Sequence, residues 1–412
     1  MNSEPTPTPD ANARNPPMLI QEITLQGILS FGPETPPLEM RPLNVLIGAN
    51  GSGKSNLIEA IGVLRSAPKN LAEPVRRGGG VEEWIWKGFQ RGEDASAIID
   101  AKVLSKDHNI PLLRHAIRFT ESGFRFRLTK EQIENCGIEP DFSQQALIHK
   151  YNGAADELTR DGTITPFHRG NHKYEMSILS ILKDPIHYPE LTGLSEAYGD
   201  IRIYRDWLFG RSSGQRSDFR KPQQSDMPSD RLEEDFSNLA LFLSQLRRVP
   251  AAKKAVLSRL HDIYDGLDDF DVHAKGGMVE VFLTEGNFTI PASRLSDGTL
   301  RYLCLLAILC DPDPPRLICI EEPELGLHPD LLPTLARLLV ETSKRTQLIV
   351  TTHSDILVDA MSETPESVVV FEKHDGKTEM KRLTNDEELQ DMLNDYRLGQ
   401  LWLQGQIGGT RW

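Results

Sequence analysis

Leu43-Asn44-Val45-Leu46-Ile47-Gly48-Ala49-Asn50-Gly51-Ser52-Gly53-Lys54-Ser55 decides the fold. The apolar run Leu43 to Ile47 reads as a strand, Gly48 to Ser55 fits G-x-x-x-x-G-K-[ST], and Leu57, Ile58, Ile61 and Leu64 recur at helical spacing from near Asn56. In that order, loop N–H groups and a helix N-terminus converge on phosphate. Gly48, Asn50, Gly51, Gly53, Lys54, Ser55 and Asn56 are therefore candidate nucleotide-phosphate-binding residues. Lys54 would neutralise the β- and γ-phosphates and Ser55 would ligate Mg²⁺. A glycine-rich turn without nucleotide is the plainer alternative, and the flanking strand and helix speak against it.

Leu317-Ile318-Cys319-Ile320-Glu321-Glu322 is an apolar strand ending in two carboxylates, the form of a second nucleotide motif beside the first. Glu321 would hold Mg²⁺, through water, and Glu322 would orient or deprotonate the attacking water. Two solvated acids capping a strand is the competing reading. Upstream, Leu295-Ser296-Asp297-Gly298-Thr299 precedes a helix from Leu300; downstream, Leu348 to Thr352 leads into His353-Ser354.

Taken in order, these motifs resemble an ATP-binding-cassette (ABC) ATPase: P-loop, LSGGQ-like signature (here LSDGT), strand-end acids and switch histidine. Pro323-Glu324-Leu325-Gly326-Leu327-His328-Pro329 is similar to the RecF, SMC and overcoming-lysogenization-defect (OLD) branch rather than to transporter cassettes. The resemblance implies an α/β P-loop head with a mixed sheet and an antiparallel β patch, split by an α-rich insertion. It also implies two heads sandwiching two ATP molecules. Ser296 and Gly298 of one head would touch the γ-phosphate held by the other, and His353 would sense its loss. Taken alone, Ser296 is an N-cap, His353 a structural histidine, and His328 either shapes the dimer contact or fills a turn. Two positions depart from the family: Glu321 where Asp is usual, and Asp297 for the first signature Gly. Gln90, Gln144, Gln145 and the segment Glu175-Met176-Ser177 are the candidates for a Q-loop.

The chain has 412 residues, 39% apolar and 26% charged, a globular composition with length for two or three lobes. Its net charge of -14 argues against an overall basic coat for nonspecific nucleic-acid binding and leaves room for local basic patches. Cys136, Cys304, Cys310 and Cys319 form no CxxC pair and read as reduced, buried small residues. No leader pattern is visible, and the longest apolar run, Tyr302 to Cys310, is half the length a membrane helix needs. A cytoplasmic protein with no membrane contact is expected.

Residues 1–17, rich in proline, read as a disordered tail; 18–130 and 271–385 as the two halves of the head; 131–270 as the α-rich insertion; 386–412 as a C-terminal docking segment. Within the first half, Leu113 to Phe119 and Phe124 to Leu128 flank the turn Glu121-Ser122-Gly123 and predict a hairpin. The insertion shows helical periodicity in Leu239 to Leu246 and Ala251 to Leu260 and no heptad run, so long coiled-coil arms are not expected. The few residues after Arg382 cannot form the Toprim nuclease domain of OLD nucleases, so any effector activity is expected from another chain.

Arg202, Arg205, Arg211, Arg216, Arg220 and Lys221, interleaved with Tyr204, Trp207, Phe209 and Phe219, suit phosphate and base contact or pair with the chain's excess acids. A second basic cluster, Arg65, Lys69, Arg76, Arg77, Lys87 and Arg91, lines a DNA-facing or dimer-facing loop or solvates the first helix. Leu398 to Trp412 is too apolar for a free tail and reads as docked core or a partner-binding segment. The expected protein is an ATPase that dimerises around Mg-ATP and gates a DNA contact or an effector partner, in anti-phage defence or DNA repair. The alternatives are an ATP-sensing scaffold with little turnover and, opposed by the Pro323–Pro329 segment, a transporter ATPase subunit.

Overall fold

The computed structural model describes residues 18–90, 93–104, 112–136, 147–160, 162–169, 174–205, 207, 222–263 and 266–409. The tail 1–17, Gln144, Gln145, Arg91, Arg211, Arg216, Arg220, Lys221, Phe209, Phe219 and Trp412 lie outside the described residues. In chain order, β1 (Ile20–Gln26), β2 (Leu38–Glu39) and β3 (Leu43–Gly48) precede α1 (Lys54–Ser66), α2 (Glu73–Arg77) and α3 (Val81–Trp84). Six strands follow: β4 (Ala97–Leu104), β5 (Leu112–Ser122), β6 (Arg125–Asn135), β7 (Leu147–Tyr151), β8 (Asp156–Arg160) and β9 (Thr163–Pro166). Next come α4 (Ile178–Ile181), α5 (Pro189–Gly199), β10 (Ile201–Tyr204), β11 (Gln223–Gln224), α6 (Leu239–Arg248) and α7 (Pro250–Leu260). The last third holds β12 (Asp269–Lys275), β13 (Met278–Glu285), β14 (Phe288–Pro291), α8 (Asp297–Leu309), β15 (Leu317–Glu321), α9 (Leu332–Ser343) and β16 (Gln347–Thr351). It closes with α10 (Asp355–Asp359), β17 (Val368–His374), β18 (Lys377–Arg382), α11 (Glu387–Asp395) and α12 (Leu398–Leu403).

The sheet that carries the motifs runs β10-β15-β16-β3-β17-β18, parallel from β10 to β17, with β18 antiparallel at its edge. Every residue of β3 is buried, as a parallel strand covered on both faces requires. Alternate side chains serve two cores. Val45, Ile47, Ile318, Ile320 and Val350 pack with α6, α7, α8 and α9, while Leu46, Leu317, Cys319, Ile349 and Phe371 pack with α1 and the antiparallel strands. That antiparallel sheet is ordered β2-β1-β4-β5-β6-β7-β8-β9. The β5–β6 hairpin turns through Gly123 and Phe124, both left-handed at φ 61° and 62°, between the paired Ser122 and Arg125. A third, smaller sheet comprises β11 to β14.

The structure differs from the sequence expectation in the middle segment. The boundary at 130 falls inside β6, and residues 131–166 extend the antiparallel sheet through β7, β8 and β9. Helices α5, α6 and α7 are present, but β10 joins the motif-bearing sheet as the neighbour of β15. The physical reason is a buried ionic cluster. Arg169 donates to Glu131 at 2.9 Å and also engages Asp156, His149 lies 2.7 Å from Asp156, and His115 lies 3.2 Å from Glu131. Arg169, Glu131 and Asp156 find their opposite charges only when the segment lies on the sheet. Of the cysteines, Cys304, Cys310 and Cys319 are buried, whereas Cys136 is exposed, one residue past the end of β6. Helix α1 begins at Lys54, ahead of the expected Asn56, and α8 at Asp297, ahead of Leu300.

Candidate nucleotide site

The C-terminal ends of β3, β15, β16 and β10 lie side by side, the place where an open α/β sheet takes its ligands. The P-loop leaves β3 at Gly48, which has φ 143° and whose missing Cβ would stand 2.2 Å from the Phe371 carbonyl. Gly53 closes the loop at φ 106°, where a Cβ would meet Thr378 Oγ1 at 2.3 Å. Gly51, at φ 76°, faces open space, and Asn50 is exposed beside it. Asn56 donates from Nδ2 to Ser30 Oγ at 2.7 Å, fastening the first turn of α1 to the loop after β1.

Lys54 folds back over the loop, its Nζ donating to the carbonyls of Gly48 at 2.8 Å and Ala49 at 3.0 Å. Burial pushes its ammonium down to about 8, against the opposing pull of Glu322 and Glu324. The Ser52 hydroxyl is buried in the same loop with no hydrogen-bond partner. A buried ammonium resting on carbonyls and an orphaned hydroxyl are what a phosphate group would satisfy.

Ser55 donates from Oγ to Glu321 Oε2 at 3.0 Å, so the two residues expected at a metal meet. A hydroxyl and a carboxylate suit Mg²⁺, which takes its remaining oxygens from phosphates and water. Burial raises the Glu321 carboxyl, opposed by Arg205 and by the Ser55 hydrogen bond. Glu322 is held in the left-handed region at φ 47°, its N–H donating to the Thr351 carbonyl and hydroxyl, each at 3.1 Å. Such a backbone is costly for a residue with a Cβ, and it turns the carboxylate toward His353, whose Nε2 lies 3.7 Å from Glu322 Oε1. Lys54, Ser55, Glu321, Glu322 and His353 are thus brought to one end of the sheet.

Ser296 and Gly298 are engaged elsewhere. Ser296 caps α8, accepting from the Thr299 N–H at 3.1 Å, and a Cβ at Gly298 would stand 2.9 Å from the Gly326 carbonyl. The signature turn therefore packs on the Pro323–Pro329 loop of its own chain. His328 accepts from the Asp330 N–H at 3.3 Å, as a turn residue does.

Three contributors escaped sequence reasoning. Glu324 Oε1 accepts from the Thr352 hydroxyl and the His353 N–H, both at 2.7 Å, while its Oε2 is buried without a partner. Arg205, read among basic residues for nucleic acid or surface pairing, places Nε 3.5 Å from Glu321 Oε1. Trp207 donates from Nε1 to the Glu321 carbonyl at 2.7 Å and lies under the Arg301 guanidinium at 4.6 Å. The signal in sequence was faint, since Arg202 interrupts Ile201, Ile203 and Tyr204. Of the Q-loop candidates, Gln90 is exposed, with its N–H donating to Glu93, and Ser177 caps α4 and binds Glu131. In the second basic cluster, Arg65 pairs with Glu234, Arg76 with Glu175, Arg77 with Glu73 and Lys87 with Glu83.

Residues 43–359 match the family model described as "AAA domain, putative AbiEii toxin, Type IV TA system". The chain belongs to this family. Among solved structures, this AAA-domain protein is similar to an SMC head bound to the C-terminal winged-helix domain of ScpA, with TM-score 0.56 and 16% identity over 90% of this chain and 99% of that one. It is also similar to the Pyrococcus furiosus Smc head with an extended coiled coil bound to the C-terminal domain of ScpA, with TM-score 0.54 and 15% identity over 92% and 99%. The Pyrococcus yayanosii Smc head with a coiled coil and joint gives TM-score 0.51 and 12% identity over 92% and 99%. At these identities the likeness is one of fold. No curated protein matches the chain significantly. The family model describes an AAA domain, and the fold is the α/β P-loop architecture of the SMC head. Among the described residues, no helix is long and apolar enough to cross a membrane.

Proposed function

We propose that this AAA-domain protein binds ATP at Gly48–Ser55 and hydrolyses it, and that two copies close around the nucleotide to gate a DNA contact or a separate effector protein. The observation that carries the reading is the convergence of Lys54, Ser55, Glu321, Glu322 and His353 at the strand ends. Gly48, Asn50, Gly51, Gly53 and Asn56 shape the phosphate cradle, and Lys54 leaves its carbonyls for the phosphates. Ser55 and Glu321 hold Mg²⁺, which when bound neutralises phosphate charge. Glu322 accepts a proton from the attacking water, and His353 lies next to it to register the γ-phosphate.

Ser296 and Gly298 sit at the N-terminus of α8, an anion-binding position, and in the two-head arrangement that the ABC resemblance implies they meet the γ-phosphate held by a second copy. Residues 18–166, β10 and 271–385 build the head, with 386–409 completing the chain's described end. A role in anti-phage defence or DNA repair is consistent with the family. A scaffold with little turnover is favoured by one observation, the Arg205 guanidinium beside Glu321. The test is titration with ATP and Mg²⁺ by calorimetry. Binding lost in Lys54→Ala and kept in His353→Ala supports the site; equal binding by wild type and Lys54→Ala contradicts it.

A further inference from the structure

Glu321 divides its two oxygens. Oε2 accepts the Ser55 hydroxyl at 3.0 Å, and Oε1, buried and without a hydrogen-bond partner, faces Arg205 Nε at 3.5 Å. Arg205 owes this place to strand register: Tyr204 pairs with Ile320 across β10 and β15, so the next residues of the two strands, Arg205 and Glu321, fall together. Trp207 pins the same turn by donating to the Glu321 carbonyl at 2.7 Å. On its other side Arg205 has a second acid within reach, Glu59 of α1, with Nη1 3.8 Å from Oε1. Both separations exceed those of directed hydrogen bonds, so neither pair is tightly held.

Resting on the metal site proposed above, we infer that Arg205 is a built-in counter-ion on Glu321 that a divalent cation displaces, with Glu59 as its second station. A guanidinium and a divalent cation cannot both sit close to one carboxylate without repelling each other. With Arg205 on Glu321 the acid is compensated before metal arrives; with Arg205 on Glu59 the metal ligand is released. Arg205 is a positioning residue that sets metal affinity.

The test is Mn²⁺ uptake in the presence of the β,γ-imido analogue of ATP, read by electron paramagnetic resonance and corrected for the analogue alone. Wild type, Arg205→Gln, Arg205→Lys, Glu59→Gln and the Arg205→Gln/Glu59→Gln double variant are compared. Arg205→Gln should tighten Mn²⁺ binding by about three- to tenfold, the scale of one positive charge removed several ångströms from a divalent ion in partly solvated surroundings. Arg205→Lys, which keeps the charge, should stay near wild type. Glu59→Gln should weaken Mn²⁺ binding in the wild-type background and have a smaller effect once Arg205 is gone. A metal-dependent change in tryptophan fluorescence, absent in Trp207→Phe, should accompany binding. Unchanged or weaker Mn²⁺ binding in Arg205→Gln, with analogue affinity intact, would overturn the inference and leave the P-loop reading standing. Failure of the wild type to take up either the analogue or Mn²⁺ would overturn both.

Discussion

The carboxylate of Glu324 accepts the backbone N–H of His353 at 2.7 Å and the neighbouring Thr352 hydroxyl at the same distance. This bond ties the loop after the strand-end acids to the end of β16. A charge-assisted hydrogen bond contributes roughly 1.5–3 kcal/mol, and here it sets the path of the chain at His353. Glu324→Ala is expected to lower the ATP turnover rate by about ten- to a hundredfold while changing ATP affinity far less. Steady-state hydrolysis set against nucleotide binding checks this, and Glu324→Gln, which keeps an acceptor, should fall between.

Lys54 supplies a pH signature. In the nucleotide-free chain burial holds its ammonium at about 8, and phosphate oxygens raise that value on binding. The complex therefore binds more protons than the free chain above pH 8, so ATP affinity falls as pH rises through that range, by up to about tenfold per unit. Below pH 8 this group contributes no further dependence. Calorimetry at pH 8.5–9.5 in buffers of different ionisation enthalpy should register uptake of up to one proton per nucleotide, an uptake that falls toward zero near pH 7.

Backbone strain at Glu322 is separable from its chemistry. At φ 47° a Cβ is unfavourable, by roughly 1–2 kcal/mol, whereas glycine adopts this conformation freely. Both Glu322→Ala and Glu322→Gly should abolish hydrolysis. In thermal unfolding Glu322→Gly should be the more stable of the two by about 1 kcal/mol, reversing the usual order of alanine over glycine.

The phosphate loop was legible because its chemistry is local: Gly48, Gly53, Lys54 and Ser55 lie within one strand-to-helix turn, and the glycines are needed for close approach and positive φ. Glu321, Glu322 and His353 were legible because each follows an apolar strand, and parallel strands place their C-terminal ends together. Arg205 and Trp207 were not, because they reach Glu321 across more than a hundred residues through a pairing of β10 with β15 that their own segment, charged and aromatic, does not announce. The strands of 131–166 were missed for a related reason. Glu131, His149, Asp156 and Arg169 look like surface charges in sequence, and only their mutual pairing makes them buried. Glu324 was visible within its motif but without a role, since its partners lie on β16 and the turn after it.

The most direct test combines hydrolysis and mass. Purified wild type and Glu322→Gln are mixed with Mg-ATP, phosphate release is followed, and molecular mass in solution is measured with and without nucleotide. Turnover by wild type, its loss in Glu322→Gln, and an ATP-dependent doubling of mass that persists in the variant is the expected result. Turnover unaffected by Glu322→Gln, or a mass that stays constant in both proteins while ATP is bound, would contradict a nucleotide-sandwiched ATPase with Glu322 at its chemical centre.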